Sequence, residues 1–358
     1  MENCTVIDVF CGIGGLTHGL VLENFRVVAG IDTDSSCRYA FETNNQGAIF
    51  INQSVEAPGI IEKLSALYPQ EHVKVLVGCA PCQPFSSNNT KKLIDDKWKL
   101  LHAFANMIET INPDIVSMEN VTRLRSFNNG IIFKKFVQRL QSAGYTISWY
   151  EVYCPDYGIP QQRTRLVLFA SKFGKIELIK PTHQPKQYKT VRNAISKLEP
   201  LAPGQSSQKD RLHWSSSLSP LNLQRIQAST PGGTWHDWDK KLIALCHRKK
   251  SGQTFPSVYG RMVWDEPSPT ITTQFYGFGN GRFGHPEQDR AISLREGAIL
   301  QTFPKQYRFV EPGKRYTFEN LGRHIGNAVP VALGRVIGRS IKHHLETHEL
   351  TSKTIASI

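Results

Sequence analysis

The stretch GCAPCQPFSS, residues 78–87, follows the apolar run 73–77 and sets two thiols, Cys79 and Cys82, three residues apart. Such a pair can be a redox couple, half of a metal clip, or one nucleophile with a neighbour. A zinc site needs two more ligands at similar spacing, and the chain offers neither a second Cys-x-x-Cys nor a spaced histidine pair, since His343 and His344 are adjacent. No metal is expected. Cys79 ends the apolar run and reads as a packed residue, whereas Cys82 follows Pro81 in the loop beyond it. Ligands of open α/β sheets bind outside the carboxyl ends of the strands, which makes Cys82 the reactive thiol.

A second stretch, DVFCGIGGLTHGL at residues 8–20, places Gly12, Gly14 and Gly15 in a turn between a first strand and a first helix, with Phe10 before them and Leu16 after. Glycines there allow a sharp turn and close approach of the backbone to a ligand. Twenty residues beyond Gly12 stand Asp32 and then Asp34, at the end of a second strand, where an acid can hold ribose hydroxyls. The order is G-x-G-G rather than the dinucleotide G-x-G-x-x-G. A nucleoside cofactor without a pyrophosphate fits better, and S-adenosylmethionine has the required adenine and ribose.

A thiolate beside a methyl donor has a use where the acceptor is an unactivated ring carbon. Carbon 5 of cytosine cannot attack a sulfonium methyl until a thiolate adds to carbon 6 and an acid protonates or hydrogen-bonds ring nitrogen 3. INPDIVSMENV, residues 111–121, supplies that acid as Glu119 at the end of a further strand, with Asn120 fixing the loop. GIPQQRTRLVLFA, residues 158–170, brings Arg163 and Arg165 at period two, expected on one face, where they suit a pyrimidine carbonyl, a phosphate or Glu119 itself.

These residues need a frame. From residue 5 to about 170, short Val- and Ile-rich runs at 5–10, 26–31, 73–77, 115–118 and 166–170 alternate with helical spacing at 16–22, 36–44, 100–110 and 133–143. The runs are apolar on both faces, which predicts buried parallel strands of a doubly wound α/β sheet. After about Lys172, six prolines from Pro181 to Pro231 and frequent Ser and Gly predict an irregular, strand-and-loop region, and helical spacing returns at 332–345. Residues 1–150 carry 13 Lys/Arg against 14 Asp/Glu, and residues 151–358 carry 30 against 16. The whole cationic excess therefore lies in the second part, as expected of a region that meets nucleic acid. No apolar run of membrane-spanning length or signal-peptide pattern is present, and seven cysteines in 358 residues do not form a disulfide framework, so a cytoplasmic protein is expected.

The separated motifs DVFCGIGG, GCAPCQPFSS, MENV, QQRTR, RMVWDEPSPTITT, REGAILQTFP and IGNAVP, in this order, resemble the cytosine-specific C5 DNA methyltransferases of bacterial restriction-modification systems. The resemblance covers nearly the whole chain. It implies a Rossmann-like, doubly wound S-adenosylmethionine-dependent methyltransferase domain over residues 1–175. A smaller irregular, strand-rich target recognition domain would span 176–324, with specificity at about 176–260, and a returning segment 325–358. By the same resemblance Cys82 is the nucleophile, Glu119 the acid, and Arg163 and Arg165 their partners. The resemblance also implies that Phe10, Gly12, Gly14, Gly15, Leu16, Asp32, Pro81, Leu100 and Asn327 line the cofactor pocket. Ser86, Ser87 and Lys91, from the loop after Cys82, and Arg225 and Lys249, from the recognition region, are expected to contact DNA. The family's usual acid after the third strand is missing, and Gln53 or Ser54 stands there instead. A monomer is implied, acting on duplex DNA beside a restriction endonuclease of the same specificity without a stable complex. Methylation of RNA cytosine is the alternative within this chemistry. A thiol or NAD-dependent oxidoreductase leaves Glu119, Arg163 and Arg165 idle, and a silent DNA-binding protein has no need of thiol and acid together.

Overall fold

The computed structural model of the protein describes residues 3–81 and 98–356. The chain divides into two compact units, one of residues 1–153, 164–181 and 329–358, the other of residues 154–163 and 182–328. The segment 154–163 thus groups with the second unit rather than with a continuous 1–175, and the return to the first begins at Val329.

The first unit is built on a seven-stranded sheet. Its strands are β1 (Cys4–Val9), β2 (Arg26–Asp32), β3 (Ile49–Asn52), β4 (Val73–Gly78), β5 (Ile115–Val121), β6 (Thr146–Tyr153) and β8 (Thr164–Ser171), in the order β3-β2-β1-β4-β5-β8-β6. Pairing is parallel from β3 to β5, and β8 lies antiparallel between β5 and β6. The run 166–170 is therefore not the parallel strand that its apolar composition suggested. The connection from β6 to β8 contains no helix long enough for a crossover, so the two strands pair as antiparallel neighbours. Strand β6 carries no continuous apolar signature because it sits at a sheet edge, where many of its side chains meet solvent, and β3 at the other edge is only four residues long.

Helices α1 (Gly15–Leu22), α2 (Arg38–Asn44), α3 (Ile60–Ser65), α4 (Lys99–Ile111) and α5 (Ile131–Ser142) connect the strands. Leu64 of α3, Phe104 and Met107 of α4 and Phe136 of α5 join Ile7, Leu76, Val116 and Leu168 of the sheet in one buried cluster. Burying a Leu, Ile or Phe side chain stabilises the fold by roughly 1.5–3 kcal/mol, so this cluster contributes substantially to the stability of the sheet.

The second unit holds short helices α6 (Val191–Ile195), α7 (Pro220–Gln227), α8 (Leu294–Leu300) and α9 (Phe318–Asn327). Its described strands are only β7 (Gln161–Gln162) and β9 (Ser268–Pro269), paired with each other, so the expected strand-rich character is not found. Prolines remove ladder donors, and polar side chains start tight turns instead. Thr190, Ser219, Thr234, Asp239, Ser293 and Thr317 each accept a backbone N–H at the start of a helix or 3-10 turn. The interior contains a fully buried ion pair in which Arg290 donates to both oxygens of Glu296 at 2.7 and 2.8 Å. Burial opposes the Glu296 charge, but those two bonds hold its carboxyl down at about 2.

Helix α10 (Val331–Ala356) returns the chain to the first unit and crosses α1 at backbone contact. A Cβ on Gly19 would stand 2.5 Å from the Val331 carbonyl oxygen, and one on Gly334 would stand 2.8 Å from the Leu16 carbonyl oxygen. Glu23 at the end of α1 accepts from Arg335 at 2.6 Å and pairs with Arg339 at 3.0 Å. Gly19→Ala is expected to lower the unfolding free energy by roughly 1–3 kcal/mol through overpacking. Urea denaturation measures it, and an unchanged midpoint would show that the two helices separate without cost.

Candidate active site

The site lies past the carboxyl ends of β1, β2, β4 and β5. Beyond β1 the backbone turns through left-handed conformations at Phe10 (φ 63°), Gly12 (φ 49°) and Gly14 (φ 83°) before α1 begins at Gly15. Glycine adopts that region freely, whereas Phe10 holds it at a cost typical of functional turns. Asp32, at the end of β2, explains why the turn is stable. Its Oδ2 accepts the Gly12 N–H at 2.9 Å and its Oδ1 accepts the Asp34 N–H at 2.9 Å. Each carboxylate oxygen keeps a further lone pair, so Asp32 can organise the loop and still accept from a hydroxyl. A Cβ on Gly12 would meet nothing within 4 Å, which leaves open space above the loop for a ligand.

Phe10 packs edge-on against Phe104 of α4, with ring centroids 6.2 Å apart. Leu16 is buried in α1, and Leu100 is half-buried in the first turn of α4 against the same cluster as Phe10. Gln53 and Ser54 are engaged locally: Gln53 accepts from Lys63 at 3.3 Å and the Ser54 hydroxyl accepts the Glu56 N–H at 3.1 Å.

Glu119 is 2% exposed at the end of β5. Its Oε2 accepts a hydrogen bond from the Cys79 thiol at 2.8 Å, and its Oε1 stands 3.2 Å from the Arg165 Nε. Arg165 reaches it diagonally, because Val121 pairs with Arg165 while Glu119 pairs with Val167 in the antiparallel register. Oε1 has no hydrogen bond within the described protein. Asn120 donates to the Ala80 carbonyl at 3.2 Å, tying β5 to the segment that leads to Cys82.

The expectation for Arg163 needs correction. Period-two alternation does not run through it, because Arg163 falls in the break between β7 and β8 and belongs to the second unit. It is buried there, with Nη1 3.4 Å from both Gln161 Oε1 and the Ile271 carbonyl oxygen. Arg225 is also displaced from its expected role on DNA. Its guanidinium donates to the Leu242 carbonyl at 2.8 Å and to Asn222 at 3.0 Å and lies 5.2 Å from the Tyr259 ring centroid, which turns it inward. Lys249 is exposed, in company with Lys240, Lys241, Arg248 and Lys250. Asn327 is the last residue of α9, in the second unit. Pro81 is described and exposed, whereas Cys82, Ser86, Ser87 and Lys91 lie outside the described residues.

Two residues of the site escaped sequence reasoning. Cys79 read as packing, and nothing in local sequence pairs it with Glu119, forty positions away. Asp8 on β1 is buried, accepts the Thr17 hydroxyl through Oδ2 at 2.6 Å and has no hydrogen bond at Oδ1. Burial pushes its carboxyl up to about 7, the Asp32 charge adds to the rise, and the Thr17 bond opposes it.

A sequence profile described as C-5 cytosine-specific DNA methylase matches residues 4–343 of the chain. The chain is 57% identical over 342 residues to the type II methylase M.HgiDII of Herpetosiphon aurantiacus, covering 95% of this chain and 96% of that protein. It is 28% identical to the type II methyltransferase M1.BsuMI of Bacillus subtilis, across 94% of this chain and 80% of that one. Among solved structures, the Dnmt2 methyltransferase of S. pombe superposes with a TM-score of 0.62 at 16% identity, over 96% of this chain and 99% of that one. A likeness at that identity speaks for the fold.

A carboxyl raised in the folded state contributes stability that is full below its ordinary value near 3.8 and lost as pH rises through about 7. Asp8→Asn is therefore expected to be more stable than the native protein at pH 8, by on the order of 2–4 kcal/mol, with the gain shrinking toward pH 4. Thermal unfolding at the two pH values tests this, and an equal effect at both would remove the proton from Asp8.

Proposed function

The chain belongs to the C-5 cytosine-specific DNA methylase family, and from that premise we propose how its own residues act. It is a DNA (cytosine-5-)-methyltransferase of the type II restriction-modification kind. The observation that carries the mechanism is the Glu119 carboxyl, buried at the end of β5, held at one oxygen and without a hydrogen bond at the other.

S-adenosylmethionine, when bound, supplies a methyl group on a sulfonium. The open turn at Gly12, the Phe10 ring and the Asp32 carboxylate suit a nucleoside without phosphates, with Gly14, Gly15, Leu16, Pro81 and Leu100 around it. The target cytosine leaves the duplex stack, since its carbon 6 is inaccessible there. Cys82 adds as thiolate to carbon 6, forming a carbon–sulfur bond, while Glu119 gives a proton to ring nitrogen 3, so that electron density reaches carbon 5. Arg165 faces the carboxylate that Glu119 becomes and stabilises its charge. After carbon 5 is methylated, loss of its proton and departure of the Cys82 thiolate restore the aromatic ring.

The second unit is the target recognition domain in this reading, and its exposed Lys240, Lys241, Arg248, Lys249 and Lys250 supply phosphate contacts. Ser86, Ser87 and Lys91 act from the loop after Cys82. The enzyme works as a monomer and protects sites also cut by a restriction endonuclease with which it forms no stable complex. The type II relatives favour DNA over RNA as the substrate. Among the described residues no helix is long and apolar enough to cross a membrane.

Duplex DNA bearing 5-fluorocytosine, incubated with tritiated S-adenosylmethionine, tests the nucleophile, because fluorine cannot leave carbon 5 as a proton does. The native protein is expected to form a labelled covalent complex and Cys82→Ala none. Glu119→Gln is expected to lower kcat by about 10²-fold or more. A complex that survives Cys82→Ala would reassign the nucleophile.

A further inference from the structure

Cys79 has no part in the mechanism above, yet its thiol makes the closest polar contact with the acid. Its position is set by backbone on both sides. The Cys79 N–H donates to the Val9 carbonyl of β1 at 3.2 Å, and the next residue's carbonyl accepts from Asn120 at 3.2 Å. Gly78, just before it, is packed so closely that a Cβ would stand 3.1 Å from the Val9 carbonyl oxygen and from Phe104. The strand end is therefore clamped between β1 and β5, and the sulfur is held where it meets Oε2 at 2.8 Å. A residue that served only to fill space would need no donor at that point.

We propose that Cys79 is a positioning residue for Glu119, one whose thiol occupies Oε2 and thereby directs the acid's proton to Oε1. This inference rests on the reading of Glu119 as the ring-nitrogen acid. Oε2 accepts from sulfur, so the proton of the neutral acid resides on Oε1, the oxygen with no hydrogen bond in the described protein. When that proton passes to ring nitrogen 3, the O–H bond breaks, an N–H bond forms and the carboxyl becomes an anion. The S–H···O contact is then made to a charged acceptor and strengthens, as hydrogen bonds to ionised groups do. Its contribution is larger after proton transfer than before, so it acts on kcat rather than on substrate binding.

The experiment is a double-mutant cycle on the full-length enzyme with a methylatable duplex and S-adenosylmethionine, using native protein, Cys79→Ala, Glu119→Gln and the double variant, with Cys79→Ser alongside. Cys79→Ala is expected to lose about tenfold in kcat with KM for both substrates within about twofold, and Cys79→Ser to recover part of the loss by restoring a donor. In the Glu119→Gln background the Cys79→Ala change is expected to cost nothing more. Full kcat in Cys79→Ala, or the same tenfold loss in both backgrounds, overturns the inference while leaving Glu119 as the acid. Full activity in Glu119→Gln would instead overturn the acid itself. Should Cys79→Ala melt early, Cys79→Ser decides: a folded serine variant no faster than the alanine one also overturns it.

Discussion

Val9 pairs with Ile31 on one side and with Gly78 on the other, and Gly78 pairs in turn with Met118. This single rank of the sheet determines everything that follows at the site. One residue beyond it stand Phe10, Asp32, Cys79 and Glu119, from four separate strands. Parallel strands present successive side chains to opposite faces, so a slip of one residue in any pair would send one of these groups to the wrong side. The apolar cluster beneath the sheet, with Phe104 packed against Phe10 and near Gly78, makes that slip costly.

Three carboxyls share this edge, and each is accommodated in a different way. Asp32 keeps two backbone N–H groups and so shapes the glycine turn. Asp8, deeper and served by a single hydroxyl, is pushed toward its neutral form by burial. Glu119 has a thiol on one oxygen and a guanidinium facing the other. A buried carboxylate without such partners carries a heavy desolvation penalty.

The second unit solves a different problem with little regular structure. Gln161 and Gln301, both fully buried, donate and accept within an amide hub: Gln161 donates to Gln301 at 2.9 Å, and Gln301 donates to the Ile325 carbonyl at 2.7 Å. The QQRTR and LQTFP stretches are thus joined by satisfied polar groups rather than by strands, and a satisfied buried network rigidifies the irregular backbone it ties together. Trp235 is stacked between His236 and His247, with centroids 3.9 and 4.4 Å away, and anchors the turn that presents the exposed lysines.

The sequence by itself determined the turn at Gly12, the acid at the end of β2 and the acid at the end of β5. Each of these is a local matter of residue type at a strand terminus, where backbone geometry dictates what can stand. It also determined that the cations gather in the second part of the chain. Only the tertiary structure decided that Arg165 meets Glu119, that Arg163 is buried against Gln161 and the Ile271 carbonyl, that Arg225 turns inward against Tyr259, and that Cys79 donates to an acid forty residues on. These outcomes depend on the register between distant strands and on which buried donor finds an acceptor, and no spacing within a short stretch encodes either.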